Sequence, residues 1–478
     1  MKRAAAKAGL LLLILACVGQ GRAADPQSRI ALSLGEVLEA ATRAFPGLLA
    51  AQTRQSAAEG ERLAAEGGFD TSLKTQTRWS LIGLYENRNY DVSLEQPTGL
   101  WGTTFFGGWR RGTGDYPVYE GKSATASDGE ARLGLNIPLW RNGPIDRRRA
   151  TLAQAELGET IAAHDVDLAL IELRRIVSHR YWDWVLAGQR LRIAQSLLEV
   201  AESRDAGLRE RVAAGDLPEF EVLDNQRAIL ERRERVVASQ RLQEQAAIQL
   251  SLYYRGADGE PRMPDAGRLP GDIPPSPAAK PTQFESALAL ARTGRPELKR
   301  LELQRRQSET ELELQRNQQA PGVDLTIQGA QDFGTGNSKL NREELYAGVT
   351  LDIPLQRRVA TGRAQAAAAN LQRIVHETRL AEDRIANEVR DALSALTASR
   401  QRLELARQQE MAARKLEEGE RTRFDLGDST LLVVNLREIA HGDAALLKAD
   451  AATNLHKAQA DFRAALGSEA TDASATVH

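Results

Sequence analysis

Arg421-Thr-Arg-Phe-Asp-Leu-Gly427-Asp-Ser-Thr-Leu-Leu-Val-Val434 interrupts a helix-forming run that contains no proline from Gly362 to Leu466. Glycine leaves a helix in the left-handed conformation more readily than any other residue, so Gly427 marks a reversal. The helical pattern covers 356–426 upstream of it and 429–466 downstream. The same arrangement occurs earlier. Arg209-Glu-Arg-Val-Ala-Ala-Gly215-Asp-Leu-Pro-Glu-Phe-Glu-Val-Leu-Asp224 turns a helix predicted from Pro144 to Ala214 into one from Pro218 to Tyr253. Two such hairpins predict a rod.

A shorter helical pattern precedes each hairpin. Val37, Leu38, Ala41, Phe45, Leu48 and Leu49 recur at helical spacing over 33–66, and 284–319 reads as a helix with Pro296 inside it. At about 1.5 Å per residue each long helix spans about 105 Å, and the two short ones flanking it have that length when stacked end to end. Their junction then falls halfway along the rod, where the Pro/Gly-rich connector 255–283 forms a belt. On the second long helix Val389, Leu396 and Leu403 repeat every seven residues, as do Ile385, Ala392, Ser399, Ala406 and Ala413. That period is the signature of supercoiled packing, and by itself it says nothing of function.

Between the short and long helices the pattern changes to period two. Thr71–Trp79 and Glu130–Ile137 alternate as strands with two different faces do, and Val323–Phe333 and Leu345–Ile353 read as a second pair of strands, the latter stopping at Pro354. Leu133-Gly-Leu-Asn-Ile-Pro-Leu139 aligns with Val349-Thr-Leu-Asp-Ile-Pro-Leu355, which makes the two halves a duplication. The simple count is four strands per chain, with Asn89–Arg111 a candidate for a further inserted hairpin. Nearly half of the aromatic residues fall between Phe69 and Trp140, as in the girdles of outer-membrane barrels. An open sheet cannot sit in lipid, because its edge groups lack partners, and four strands cannot close on themselves. Membrane-embedded strands here therefore demand several chains in one barrel.

The 478 residues contain few aromatics (5%) and carry a formal net charge of -2, which gives no reason to expect a nucleic-acid partner. Met1-Lys-Arg, the apolar Leu10–Ala16 and Gly21-Arg-Ala23 read as an export signal over 1–23. The only cysteine, Cys17, lies within it. Ile14-Leu-Ala-Cys17 loosely resembles a lipobox, and the alternative is a lipoprotein signal over 1–16 with acylated Cys17. Residues 468–478 read as a disordered tail. His164, His179, His376, His441, His456 and His478 form no ligand motif, and Gly107-Gly108 and Gly334-Thr-Gly336 lack the ending of a phosphate loop. The expectation is no enzyme, no metal and no cofactor.

The duplicated strand–strand–long-helix plan, Asn136-Ile-Pro-Leu139, Asp352-Ile-Pro-Leu355 and the two bend motifs at Gly215 and Gly427 resemble the TolC-like outer-membrane efflux family over 30–467. The resemblance implies a mostly α protein with a β-barrel portion. In it a homotrimer closes a twelve-stranded barrel in the Gram-negative outer membrane, continuous with a periplasmic coiled-coil tunnel. The repeats then run over 24–254 (strand pair 69–139, hairpin 144–253) and 284–467 (strand pair 322–354, hairpin 356–466). The implied function is a passive duct of a tripartite efflux or type I secretion system, working with a periplasmic adaptor and an inner-membrane pump of RND or ABC type. Carried over by position, Arg211, Val212, Gly215, Arg423 and Gly427 are adaptor contacts, and Phe424 and Glu221 lie at the closed entrance. Ser429, Val433 and Leu436 stand where some members carry an arginine and two aspartates. That departure suggests an apolar constriction of Leu432, Val433 and Leu436 in place of an ionic latch. The rival expectation is a non-conducting periplasmic coiled-coil scaffold or adaptor.

Overall fold

The computed structural model describes residues 30–117, 123–275, 283–336 and 342–467. The signal, Cys17 and the tail lie outside the described residues.

The described residues open with helices α1 (Leu34–Ala44) and α2 (Pro46–Glu66), and the second repeat opens with α5 (Phe284–Gly294) and α6 (Pro296–Asn317). One helix was expected in each place. Pro46 and Pro296 break both at the same relative position, because the residue before a proline is driven into extended backbone. Phe45 (ψ 120°) and Arg295 (ψ 117°) show this, and each proline then opens the next helix.

The long helices are α3 (Arg147–Ala213) and α7 (Arg358–Asp425), of 67 and 68 residues. The first begins three residues later than Pro144 because Asp146 caps it, its carboxylate accepting from the Arg148 and Arg149 N–H groups. They return through α4 (Phe220–Ser251) and α8 (Leu431–Leu466). The two reversals are built alike. Gly215 has φ +82° and Gly427 φ +83°, and the N–H of Asp216 reaches the Arg211 carbonyl (2.9 Å) as that of Asp428 reaches Arg423 (2.8 Å). A Cβ at either glycine would meet nothing, so the backbone conformation and not the space requires glycine.

The short helices stack end to end along the long ones. Arg62 of α2 bonds Glu159 near the start of α3, while Arg233 of α4 bonds Glu202 near its end. On the other side of α3 lie α6, through Arg300–Asp165, and α8, through Arg204–Glu438 and Lys457–Asp183. Both of these also pack on α7. The result is an open row, α2/α4, α3, α6/α8, α7, with α4 and α7 at its edges. At mid-height Leu32, Val37, Val177, Trp184, Val185 and Leu250 form the largest core. The belt clasps it there. Arg192 donates to the carbonyls of Leu269, Pro270 and Gly271, and Leu269 sits on Gly188 of α3. No described helix is long and apolar enough to cross a membrane.

One antiparallel sheet holds six strands in chain order: β1 (Ser72–Ser80), β2 (Asn87–Pro97), β3 (Thr104–Gly114), β4 (Gly129–Pro138), β5 (Gly322–Phe333) and β6 (Glu344–Asp352). The simple count of four is corrected to six, because the inserted segment pairs with β1 over Asn87–Glu95 and with β4 over Thr104–Arg110. Gly107-Gly108 and the polar run Asn87–Asp91 hide it, since glycine and asparagine are depleted in strands. Leu73, Trp79, Leu133, Leu345, Val349 and Leu351 stand exposed on one face, and β1 and β6 are left as free edges.

A Cβ on Gly188 would lie 2.1 Å from Leu269. Gly188→Val is therefore expected to cost about 1–3 kcal/mol by overpacking. Limited proteolysis should then cut the belt between 255 and 275 faster than in the parent protein; equal rates would show that the belt is not seated by this contact.

Candidate functional site at the helix tips

The two reversals lie side by side. Phe424, at the end of α7, is buried against Leu208 of α3 and Leu431 and Val434 of α8, and Leu217 and Val222 close the cluster. The Arg211 guanidinium lies 5.4 Å from the centre of the Phe424 ring, a cation–π contact between the hairpins. Arg211, Val212 and Gly215 are thereby brought next to Arg423 and Gly427. Arg423 is exposed and donates to the Asp428 carbonyl (3.1 Å) and to Glu420 (3.4 Å). Ser429 donates to Glu420 at 2.6 Å and so helps close the bend.

Of the residues expected at the entrance, Phe424 is buried and Val433 half-buried, while Leu432 and Leu436 are exposed, one turn apart on α8. Glu221 is half-buried in the first turn of α4, where burial, aided by Asp224, raises its carboxyl above the ordinary value. The quoted bend thus splits by face. Leu431 and Val434 turn inward to Phe424, and Leu432 and Leu436 turn out.

Above this apolar plug lies a polar network that sequence reading missed. Continuing the seven-residue count from Val389, Leu396 and Leu403 gives Glu410, Glu417 and Phe424. The seam between α7 and α8 therefore changes from leucine to glutamate over its lower part. His441 of α8 sits between the two acids, its Nδ1 paired with Glu417 and its Nε2 3.5 Å from Glu410, which also takes Lys448 at 3.2 Å. One turn nearer the tip, Glu438 is 1% exposed and accepts from Arg204 of α3 (2.7 Å), Arg232 of α4 (2.8 Å) and Arg421 of α7 (3.2 Å). Arg232 also donates to the Leu197 carbonyl (2.6 Å). One carboxylate therefore ties four helices from both hairpins together. Burial pushes the Glu438 carboxyl up, but Arg204 and Arg232 beside it outweigh that and hold it below its ordinary value.

Among the described residues no acidic or histidine cluster could hold a metal ion. Nothing in this network presents a nucleophile in a cleft. It can hold helices together or let them part.

Residues 287–468 match the family described as outer membrane efflux protein. The match covers most of the second repeat. Across both repeats the fold is shared with solved outer-membrane proteins. The outer membrane protein VceC from Vibrio cholerae superposes with a TM-score of 0.64 at 15% identity, covering 91% of this chain and 96% of that one. The Neisseria gonorrhoeae channel MtrE, in its open state, gives 0.64 at 16% identity, covering 91% and 88%. The Campylobacter jejuni channel CmeC gives 0.61 at 13%, covering 91% and 85%. No curated protein matches the chain.

Removing a partner from a buried ion pair leaves uncompensated charge, at a cost of about 3–5 kcal/mol. Glu438→Ala strands Arg204 and Arg232, so hydrogen exchange over 197–235 should accelerate while the mid-height core stays protected. Because the folded-state value of Glu438 is depressed, its contribution is complete above the ordinary glutamate value of about 4.3 and fades as pH falls through the folded value. The tips of the parent protein should accordingly loosen on acidification below about pH 4, and those of Glu438→Ala should lack that step.

Proposed function

We propose that the chain is the outer-membrane component of an export machine of Gram-negative bacteria, a passive duct built from three copies. What carries the reading is one feature: the chain holds two incomplete walls. The sheet has an exposed apolar face and two free edges, which lipid tolerates only if other strands complete them. The helix row is open as well, and its α4 edge exposes Leu223, Leu230 and Val237 at seven-residue spacing, a coiled-coil seam without a partner in its own chain. A second copy supplies what both lack. A periplasmic scaffold needs neither the apolar sheet nor its edges, which weighs against that rival.

In this reading the tips point into the periplasm and meet an adaptor through Arg211, Val212, Gly215, Arg423 and Gly427. The adaptor couples them to an inner-membrane pump of RND or ABC type, in a tripartite efflux or type I secretion assembly. Exposed Leu432 and Leu436, with Val433, face their counterparts in the other copies and close the entrance by apolar packing. Glu221 adds an acid beside them. The Glu438 network keeps the two hairpins of each copy together, so opening requires the adaptor to separate buried charges. Such pairs hold firmly until a partner is removed.

Extraction in mild detergent should give a particle of three chains, and planar bilayers containing it should pass a small current that rises when the tips are loosened. A monomeric particle without current would overturn the duct. Within the duct, Val433→Asp introduces repelling charges at the constriction and should raise the closed-state conductance. An unchanged conductance would remove Val433 and its neighbours from the gate.

A further inference from the structure

β2 and β3 form a hairpin of two 11-residue strands between β1 and β4. Three observations bear on where it belongs. The first is connectivity. β1 pairs only with β2, and β4 pairs only with β3 and β5. No wall can contain both β1 and β4 and leave the hairpin out.

The second is the division of faces. Tyr90, Val92 and Leu94 of β2 lie opposite Thr77, Thr75 and Leu73 of β1. On the other side Phe105, Gly107 and Trp109 of β3 lie opposite Leu135, Leu133 and Ala131 of β4. That surface continues through Ile327 and Leu325 of β5 to Ala347 and Val349 of β6. On the reverse face the hairpin presents Asp91, Ser93, Glu95 and Arg110. Arg132 of β4 reaches Asp91 at 2.6 Å across the side-chain-free Gly108, and Arg110 pairs with Glu130. One face is mostly apolar across all six strands, with Arg88 and Arg111 at the outer ends of the hairpin, and the other is mostly polar, with Phe106 and Tyr346 the aromatic residues on it.

The third is height. The turn between β2 and β3 returns to the base of the helices, where Gly102 packs under the Asn142 carbonyl and Gln96 bonds the Phe69 carbonyl at 2.6 Å. The hairpin thus covers the full distance from the helix base outward. Its strand length meets the roughly 9–11 residues that a tilted strand needs to cross a bilayer.

We propose that the 87–114 hairpin is a membrane-spanning part of the wall, its apolar face against lipid acyl chains. Each copy then contributes six strands, and three copies close an eighteen-stranded barrel. The inference rests on the three-copy duct proposed above. Barrel diameter grows roughly in proportion to strand number, so the outer mouth is about half again as wide as a twelve-stranded closure. The narrowest point stays at the tips, and the barrel end cannot limit what passes.

Cys17 is the only cysteine, so single added cysteines can carry nitroxide labels in the full-length assembly in liposomes, with the parent protein as background. Val92→Cys and Leu133→Cys labels are expected to be accessible to oxygen and shielded from a water-soluble nickel complex, and Ser93→Cys the reverse. Lipid exposure at 133 without it at 92 would overturn the six-strand wall and leave the duct standing. Loss of it at both positions would overturn the duct as well. Electron cryomicroscopy of the same assembly should count eighteen strands; a count of twelve would overturn the proposal.

Discussion

A helix of about 100 Å keeps its apolar stripe in water unless a neighbour covers it along the whole length, and in a protein most helical stability comes from that packing. That constraint governs this chain. Helices α3 and α7 are each covered by two shorter helices in series, and every other feature follows from making the series join. The prolines at 46 and 296 break the upper helices where they approach the middle of the rod. At the same height the lower helix α4 ends, and Trp184, Val177 and Leu250 fill the space left between its end and α1. The belt covers this junction because a gap in the covering would expose the stripe of the long helix. Its backbone carbonyls accept from the Arg192 and Gln189 side chains of α3.

The covering is not uniform in kind. Between Ile385 and Ala406 the buried residues of the α7 seam with α8 and α5 are leucine, isoleucine, valine and alanine. Below it Glu410 and Glu417 occupy the same row and need charged partners to be buried at all. Apolar packing is insensitive to which neighbour supplies the contact, whereas a buried carboxylate is specific about its cations. The lower seam is therefore a place where two arrangements can be distinct: intact with its pairs, or separated with its charges returned to water. In the duct proposed above, leucines throughout would leave the rod no reason to part at the tip and not at the middle.

Much of this was legible in the sequence, for identifiable reasons. Gly215 and Gly427 announced the reversals because a helix ends cheaply in the left-handed region only at glycine, and both adopt it. Pro138 and the paired Ile-Pro-Leu segments exposed the duplication because proline punctuates strands and helices alike. The hairpin at 87–114 was hard to see because Gly107, Gly108 and Asn87 blur a period-two pattern that only the pairing with β1 and β4 makes clear. The Glu438 network could not be read at all. Arg204, Arg232, Arg421 and Glu438 look like the solvated charges found throughout these helices, and nothing local marks those that four helices will enclose. Glu410 and Glu417 were different. They sit in a row already counted in sevens, and following the count past Leu403 would have placed charge in the seam.

The sheet and the helix row must also agree in width, because one is continuous with the other. Four helices side by side at about 9 Å cover an arc of about 36 Å. Six strands about 4.8 Å apart and tilted by about 40° cover about 38 Å. The six-stranded sheet thus meets the row without a step. Agreement of this kind matters mechanically, since a wall that changed circumference at the junction would have to bend the strands where the Asp146 carboxylate caps α3 and the Asn317 side chain accepts from the Asn142 N–H. Those anchors are short side chains bonded to backbone and leave little room to adjust. In the six-strand wall proposed above, the helices set the width of the barrel and the inserted hairpin lets the strands reach it.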